Sequence, residues 1–207
     1  MFGYYINLEH RTDRRQHIES MKQRKHFFKN VQRMEAIRNM RGDVGCALSH
    51  IKCLNELSKR NEDYYLIMED DFCILSEENF DNFVEHFENI KNDNDWDVIT
   101  CTPRGNTTTY NYKKGFNRIV NNQTATCYII KHTFIDTLLP IFKNGVNNLM
   151  QNKDPNYCAL DQCWKPLQIE HSFIYFEKIF GGQLPGYSDI EKKQVNYNQR
   201  FSEQSKY

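Results

Sequence analysis

Tyr64-Tyr65-Leu66-Ile67-Met68-Glu69-Asp70-Asp71 is the stretch on which the fold turns. Five strand-compatible residues end abruptly in three carboxylates, so a buried strand stops where the chain meets polar surroundings. Upstream, Asp43 is an N-cap candidate for a helix in which Val44, Ala47, Leu48, Ile51, Leu54 and Leu57 recur on one face. Val31 to Ile37 and Phe2 to Leu8 read as two further strands, and between them a helix capped by Thr12 or Asp13 carries Ile18 and Met21 inward. Downstream, Phe80, Phe83, Val84, Phe87 and Ile90 form another helical stripe, and Asp97 to Cys101 reads as a strand. The order is βαβαβαβ, the pattern of an α/β layer fold with a mostly parallel sheet. After Pro103 the texture changes. Asn106 to Lys114 is polar, Phe116 to Val120 is expected to pair with Thr124 to Lys131, and a helix is expected from about His132 to Phe142. A short helix over Asp161 to Leu167 stopped by Pro166, a strand at Phe173 to Glu177 and a loop-rich tail from Gly181 complete the reading.

The 207 residues suit one compact domain, and 39% hydrophobic with 14% aromatic residues supply a core. Lys plus Arg and Asp plus Glu both number 27, which argues against a nucleic-acid partner or a generally basic surface for anionic membranes. No run reaches 18 apolar residues, and Met1 to Asn7 lacks the layout of a signal peptide, so the expectation is a soluble cytoplasmic protein. The abundance of Asn, Lys, Ile and Tyr suggests an AT-rich genome; were it that of a large virus, the location would be the host cytoplasm. The seven cysteines form no C-x-x-C pair and read as reduced core thiols, and the sequons at Asn106 and Asn122 as unused.

In open α/β sheets ligands bind beyond the C-terminal ends of the strands, where Glu69, Asp70 and Asp71 fall. If the strand continues through the triplet, alternation puts Glu69 and Asp71 on one side, able to share a divalent cation, with Asp70 turned away. Oxygen ligands suit Mg2+ or Mn2+. The competing reading is an acidic turn. Likewise Asn7, Arg11, Arg14 and Arg15 follow the first strand at a helix start, a good anion site or else a solvated helix face, which is the preferred reading for Arg15. Gly42 to His50 brings small residues into a helix, for close ligand approach or for tight packing; His50 is either a ligand contact or structural.

Ile6-Asn7-Leu8 with Arg11 and Asp13-Arg14-Arg15, then Gly45-Cys46-Ala47-Leu48-Ser49-His50, then Met68-Glu69-Asp70-Asp71 together resemble glycosyltransferase family 25. That family includes bacterial lipooligosaccharide galactosyl- and glucosyltransferases and collagen hydroxylysine galactosyltransferases. Thr124 to Ile130, Leu160-Asp161 and Ser188-Asp189-Ile190 resemble later family motifs, so the likeness runs from residue 4 to 190; Arg41 and Gly42 depart from the acidic residue common before the second motif. The resemblance implies a GT-A-like, Rossmann-type α/β sandwich with a small antiparallel C-terminal part. It implies a single domain over 1–207, with the nucleotide-sugar part at about 1–103 and the acceptor part at about 104–207.

The implied activity is inverting, metal-dependent transfer of galactose or glucose from a UDP-sugar to a glycan or a hydroxylated side chain. On this reading Glu69 and Asp71 hold Mn2+ or Mg2+, and Asn7, Arg11, Arg14, Ser49, His50, Asp70 and Asp189 bind the donor. Asp161 is the candidate general base, with a plain helix N-cap as its alternative and Asp189 next in line. Trp164 either stacks on a sugar or belongs to the core, and His171 is set aside as exposed. The nonenzymatic alternative is a sugar-nucleotide- or glycan-binding module of the same fold without turnover.

Overall fold

The computed structural model describes residues 1–104, 110–113 and 115–197. The polar stretch from Asn106, with its sequon, and the last residues of the tail lie largely outside them. Along the chain run β1 (Phe2–Asn7), α1 (Thr12–Arg24), β2 (Asn30–Glu35), α2 (Gly42–Leu57), β3 (Tyr64–Glu69), β4 (Phe72–Ile74), α3 (Glu77–Ile90) and β5 (Val98–Thr100). Then come β6 (Tyr110–Lys113), β7 (Phe116–Ile119), β8 (Cys127–Lys131), α4 (Ile135–Met150), α5 (Pro155–Cys158), α6 (Leu160–Cys163) and α7 (Leu167–Glu170). β9 (Phe173–Phe176), β10 (Gly181–Gln183), β11 (Gly186–Ser188) and β12 (Lys193–Val195) complete the series.

The main sheet has eight strands in the order β2-β1-β3-β8-β5-β9-β7-β6. Six strands share one direction; β8 and β7 run against it. The α/β layers and the mostly parallel sheet expected from the sequence are therefore present, as are the small antiparallel pairs β10-β4 and β11-β12. Alternation in β3 divides the core: Tyr65 and Ile67 join the layer under α2 and α4, whereas Leu66 and Met68 join the layer under α1 and α3. The second layer is rich in phenylalanine, and Phe83 stacks on Phe180 with ring centroids 4.5 Å apart. Burying each such ring stabilises the fold by about 1.5–3 kcal/mol. Ser76 caps α3, its side chain accepting from the Asn79 amide at 3.2 Å.

Four expectations need correction. Phe116 to Ile119 pairs with β9 and β6, not with β8, because the wholly buried β8 takes the central slot between β3 and β5. The helix expected over His132 to Phe142 starts at Ile135, after a 3-10 turn, and continues through Pro140 to Met150. Its apolar face extends to Val146 and Leu149, packed against the α2 layer, and this burial outweighs the lost amide at Pro140. Neither Thr12 nor Asp13 caps α1, whose N-cap is Arg11, and Asp43 lies inside the first turn of α2 rather than before it. The segment 160–167 is split: α6 ends at Cys163 and Pro166 precedes α7. β4, which no sequence signal marked, pairs with β10.

Candidate active site

β1 and β3 are parallel neighbours with Ile6 opposite Glu69, so Asn7 emerges beside the carboxylate triplet. The Asn7 amide nitrogen donates to Asp70 Oδ2 at 2.7 Å and to the Arg11 carbonyl at 3.0 Å, while its oxygen accepts from Arg33 Nε at 2.9 Å. Every hydrogen-bonding group of Asn7 is thus engaged, and the residue fixes Asp70. From the first turn of α1, Arg14 Nη1 lies 3.0 Å from Asp70 Oδ1 and 3.4 Å from Asp71 Oδ2.

The strand does not continue through the triplet. β3 ends at Glu69 and Asp70-Asp71 form the turn into β4. A turn cancels the two-residue alternation, so Asp70 is not turned away: Asp70 and Asp71 share Arg14, and Glu69 leans toward α2 instead.

The electrostatics differ within the triplet. Burial raises the Asp70 carboxyl above its usual range against the opposing pull of Arg14 and Asn7. Burial, then the charge of Glu69, pushes Asp71 up to about 7, with Arg14 and Gln183 opposing. For Glu69, burial acts upward, but His50, Cys46 and Arg14 outweigh it and hold the group below the usual carboxylate range. Asp71 Oδ1 is buried and has no hydrogen-bond partner among the described residues.

The second wall is α2. Gly45 sits so close to the preceding loop that a Cβ there would lie 2.7 Å from the Ile37 carbonyl oxygen, which explains the small residue at the helix start. Ser49 Oγ donates to the Gly45 carbonyl at 2.7 Å and accepts from the Ile37 amide at 2.8 Å. The buried Ser49 therefore pins the loop between β2 and α2. His50 is fully buried, with Nδ1 3.1 Å from the Tyr128 hydroxyl and Nε2 3.5 Å from Glu69 Oε1. One turn earlier, Cys46 Sγ donates to the same Glu69 oxygen at 3.3 Å. Sequence reasoning assigned Cys46 only to the core; its spacing of four from His50 on one helix was the available signal.

Asp161 reaches the site from the second half of the chain. It is not an N-cap, since Ala159 holds that position. Its Oδ2 accepts from the Thr124 amide at 3.1 Å, and Thr124 has the left-handed φ of 90°, uncommon for a β-branched residue. Two residues on, the Thr126 carbonyl accepts from the Glu69 amide at 2.7 Å, so the Asp161-anchored bend abuts the triplet. Arg11 Nη1 meets Asp189 Oδ2 at 3.1 Å, and both Arg11 and Arg14 donate to the Tyr187 carbonyl. The segment around β11 thereby lies over the start of α1. It also crosses the start of α2: a Cβ on Gly42 would stand 2.8 Å from Ile190 Cα.

Trp164 is wholly buried in the core and offers no face to a sugar. His171 lies 3.9 Å from Asp97, before the start of β5 and so at the opposite end of the sheet from Glu69. Arg15 is exposed on α1, as a solvated helix face requires.

What the arrangement offers is a cluster of five carboxylates with two guanidiniums, Arg11 paired to Asp13 and Asp189 and Arg14 to Asp70 and Asp71, while Glu69 turns to α2. Such an excess suits a cation beside a phosphate-bearing ligand. Among solved structures, a glycosyltransferase involved in the glycosylation of the major capsid of PBCV-1 superposes with a TM-score of 0.57 at 7% identity, covering 100% of this chain and 98% of that one. That likeness establishes a GT-A-like architecture. The mannose-1-phosphate geranyltransferase from Thermus thermophilus gives a TM-score of 0.44 at 7% identity, covering 84% of this chain, which spans only 58% of that one. An apo UDP-glucose pyrophosphorylase gives 0.47 at 9% identity, covering 90% of this chain and 67% of that one. No curated protein matches the chain. Among the described residues no helix is long and apolar enough to cross a membrane. The sequence itself matches the family model described as glycosyltransferase family 25, LPS biosynthesis protein, over residues 22–153, more than half the chain, and that span contains the α2 motif, the carboxylate triplet and β8. The protein is a glycosyltransferase and belongs to family 25.

Proposed function

We propose that the protein transfers a hexose, galactose or glucose, with inversion from a UDP-sugar to a glycan or hydroxylated side-chain acceptor, using Mn2+ or Mg2+. The observation that carries this reading is the buried Oδ1 of Asp71, which has no hydrogen-bond partner among the described residues, within a cluster whose carboxylates outnumber its guanidiniums. Hard oxygen donors at that point fit a hard divalent cation, with Asp71 and Glu69 as the residues that would hold it. When bound, the ion supplies charge stabilisation for the departing diphosphate.

The remaining steps fall to the chain. Arg14, fixed by Asp70 and Asp71, and Arg11, fixed by Asp13 and Asp189, orient the diphosphate at the start of α1. Asn7 acts through Asp70, and Ser49 and His50 act through the α2 loop and Glu69 rather than by touching the donor. Asp161 takes the acceptor proton as the hydroxyl attacks the anomeric carbon. Its bonds to Thr124 and Gln162 hold the carboxylate in one orientation and leave lone pairs for that proton. In this single domain, residues 1–103 supply most of the donor side and 104–207 the acceptor side.

The test is incubation with UDP-glucose and UDP-galactose plus a panel of acceptors (oligosaccharides and hydroxylysine peptides) in Mn2+, with and without EDTA, followed by assay of free UDP. Metal-dependent UDP release supports the transferase. Metal-dependent binding with no release for either donor would overturn it in favour of the binding module.

A further inference from the structure

Beside the oxygen-lined crevice, Cys46, His50 and Glu69 form a second cluster of different chemistry. Cys46 and His50 stand four residues apart on α2, so both project from one face onto Glu69 at the end of β3. Glu69 Oε1 is 3.3 Å from Cys46 Sγ and 3.5 Å from His50 Nε2, and the three ligand atoms all lie within 4.8 Å of one another. An ion with zinc's bond lengths, about 2.3 Å to sulfur and about 2.0 Å to nitrogen and oxygen, sets tetrahedral ligands about 3.3–3.5 Å apart. The cluster is therefore already near the required dimensions. His50 supplies an independent sign. Its ring is fully buried, and Nε2 aims into the cluster with Glu69 Oε1 at 3.5 Å but no close hydrogen-bond partner among the described residues. Nδ1 is held by the Tyr128 hydroxyl, the kind of outer contact that fixes a ligating imidazole.

We propose that Cys46, His50 and Glu69 bind one thiophilic divalent ion of the zinc class, with water in the fourth position on the side where Glu69 is 24% exposed. Thiolate and imidazole favour such an ion over Mg2+ or Mn2+, which distinguishes this site from the one proposed at Asp71. Binding breaks the Cys46 S–H bond, the proton leaves to solvent, the sulfur keeps the electron pair for the metal, and no oxidation state changes. Glu69 has two carboxylate oxygens and can border both sites.

Co2+ titration of the reduced, chelator-free full chain tests this without reference to sugar transfer. The expected result is one tight equivalent with intense tetrahedral visible bands and a near-ultraviolet thiolate-to-cobalt band, all abolished by one equivalent of Zn2+. Cys46→Ser should remove the near-ultraviolet band and weaken binding at least ~10-fold, His50→Gln should weaken it comparably, and Cys158→Ala should leave both unchanged. Weak octahedral bands in the wild type, with no charge-transfer band, would place the ion on oxygens and overturn the proposal. A full charge-transfer band in folded Cys46→Ser, or unchanged affinity in His50→Gln, would overturn it as well.

Discussion

Replacing Asp71 with Asn should make the metal-free protein more stable at pH 8 while disabling it. The folded environment raises this carboxyl from 3.8 to about 7, chiefly by burial and by Glu69. Between those values the folded chain holds a proton that the unfolded chain has released. The associated stability is complete below about 3.8 and is lost as the pH rises through 7. From pH 5 to 8 that loss spans about two pH units, a ceiling of about 3 kcal/mol at 1.36 kcal/mol per unit. Glu69 shifts in the opposite sense, but its window lies below its ordinary value of 4.5 and so outside this range. The amide cannot ionise, and because Asp71 and Glu69 titrate together only part of the loss belongs to Asp71, so about half the ceiling should survive. At roughly 2–4 °C per kcal/mol for a chain of this size, the Tm difference between Asp71→Asn and wild type should grow by about 3–6 °C from pH 5 to pH 8. Paired thermal melts in EDTA at the two pH values measure it. In Mn2+ plus UDP the order should reverse, because only the wild type gains ligand stabilisation, and transfer by the variant should fall at least ~10²-fold. Parallel Tm curves for the two proteins in EDTA would refute the electrostatic argument, and wild-type transfer by the variant would refute the metal assignment.

Asp70→Asn should lower transfer about as much as Asp71→Asn, since the turn brings both carboxylates to Arg14; activity near wild type would show that Asp70 stands outside the site. Asp161→Ala should leave UDP affinity unchanged, lower transfer by ~10² to 10⁴-fold, and lower Tm because the Thr124 amide loses its acceptor. Adding Thr124→Gly should restore Tm by relieving the left-handed φ without restoring turnover; recovered turnover would move the proton acceptor elsewhere. Gly42→Ala should displace the Asp189-Ile190 crossing and raise the donor KM several-fold with little change in Tm, and an unchanged KM would separate that segment from donor binding. Ser76→Ala, a helix-cap control that pairs with none of the clustered carboxylates or arginines, should cost about 0.5–2 kcal/mol in denaturant unfolding and leave kcat unaltered.

The features legible in the sequence were those that a local pattern encodes. The apolar run ending at Glu69 located a strand and the carboxylates gathered at its end, and the stripes of α2 and α3 followed helical spacing. Three kinds of feature were not legible. β4 is three residues long, too short for any period to register, and it exists because β10 returns to pair with it. The slot of β8 depends on partners about sixty (β3) and about thirty (β5) residues upstream, which periodicity does not report. The grouping of Cys46, His50 and Glu69 required knowing that α2 crosses the end of β3; each residue alone read as core, helix or turn. Asp70 departs from strand alternation because β3 ends one residue before it, and the turn carries its carboxylate to Arg14.

The central position of β8 bears on how the protein can be made and divided. Residues emerging from a ribosome up to position 103 contain β1, β2, β3 and β5, yet β3 and β5 are not neighbours; β8 must slide between them, and α4 must then cover α2. Until residues 127–149 have emerged, the inward edges of two hydrophobic strands and one helix face have no partners. A fragment cut at 103 would keep Arg11, Arg14 and the carboxylate triplet but lose the strand that joins its two pieces, so it should aggregate rather than fold. The two halves of the chain share one sheet and one core, so they fold as one body.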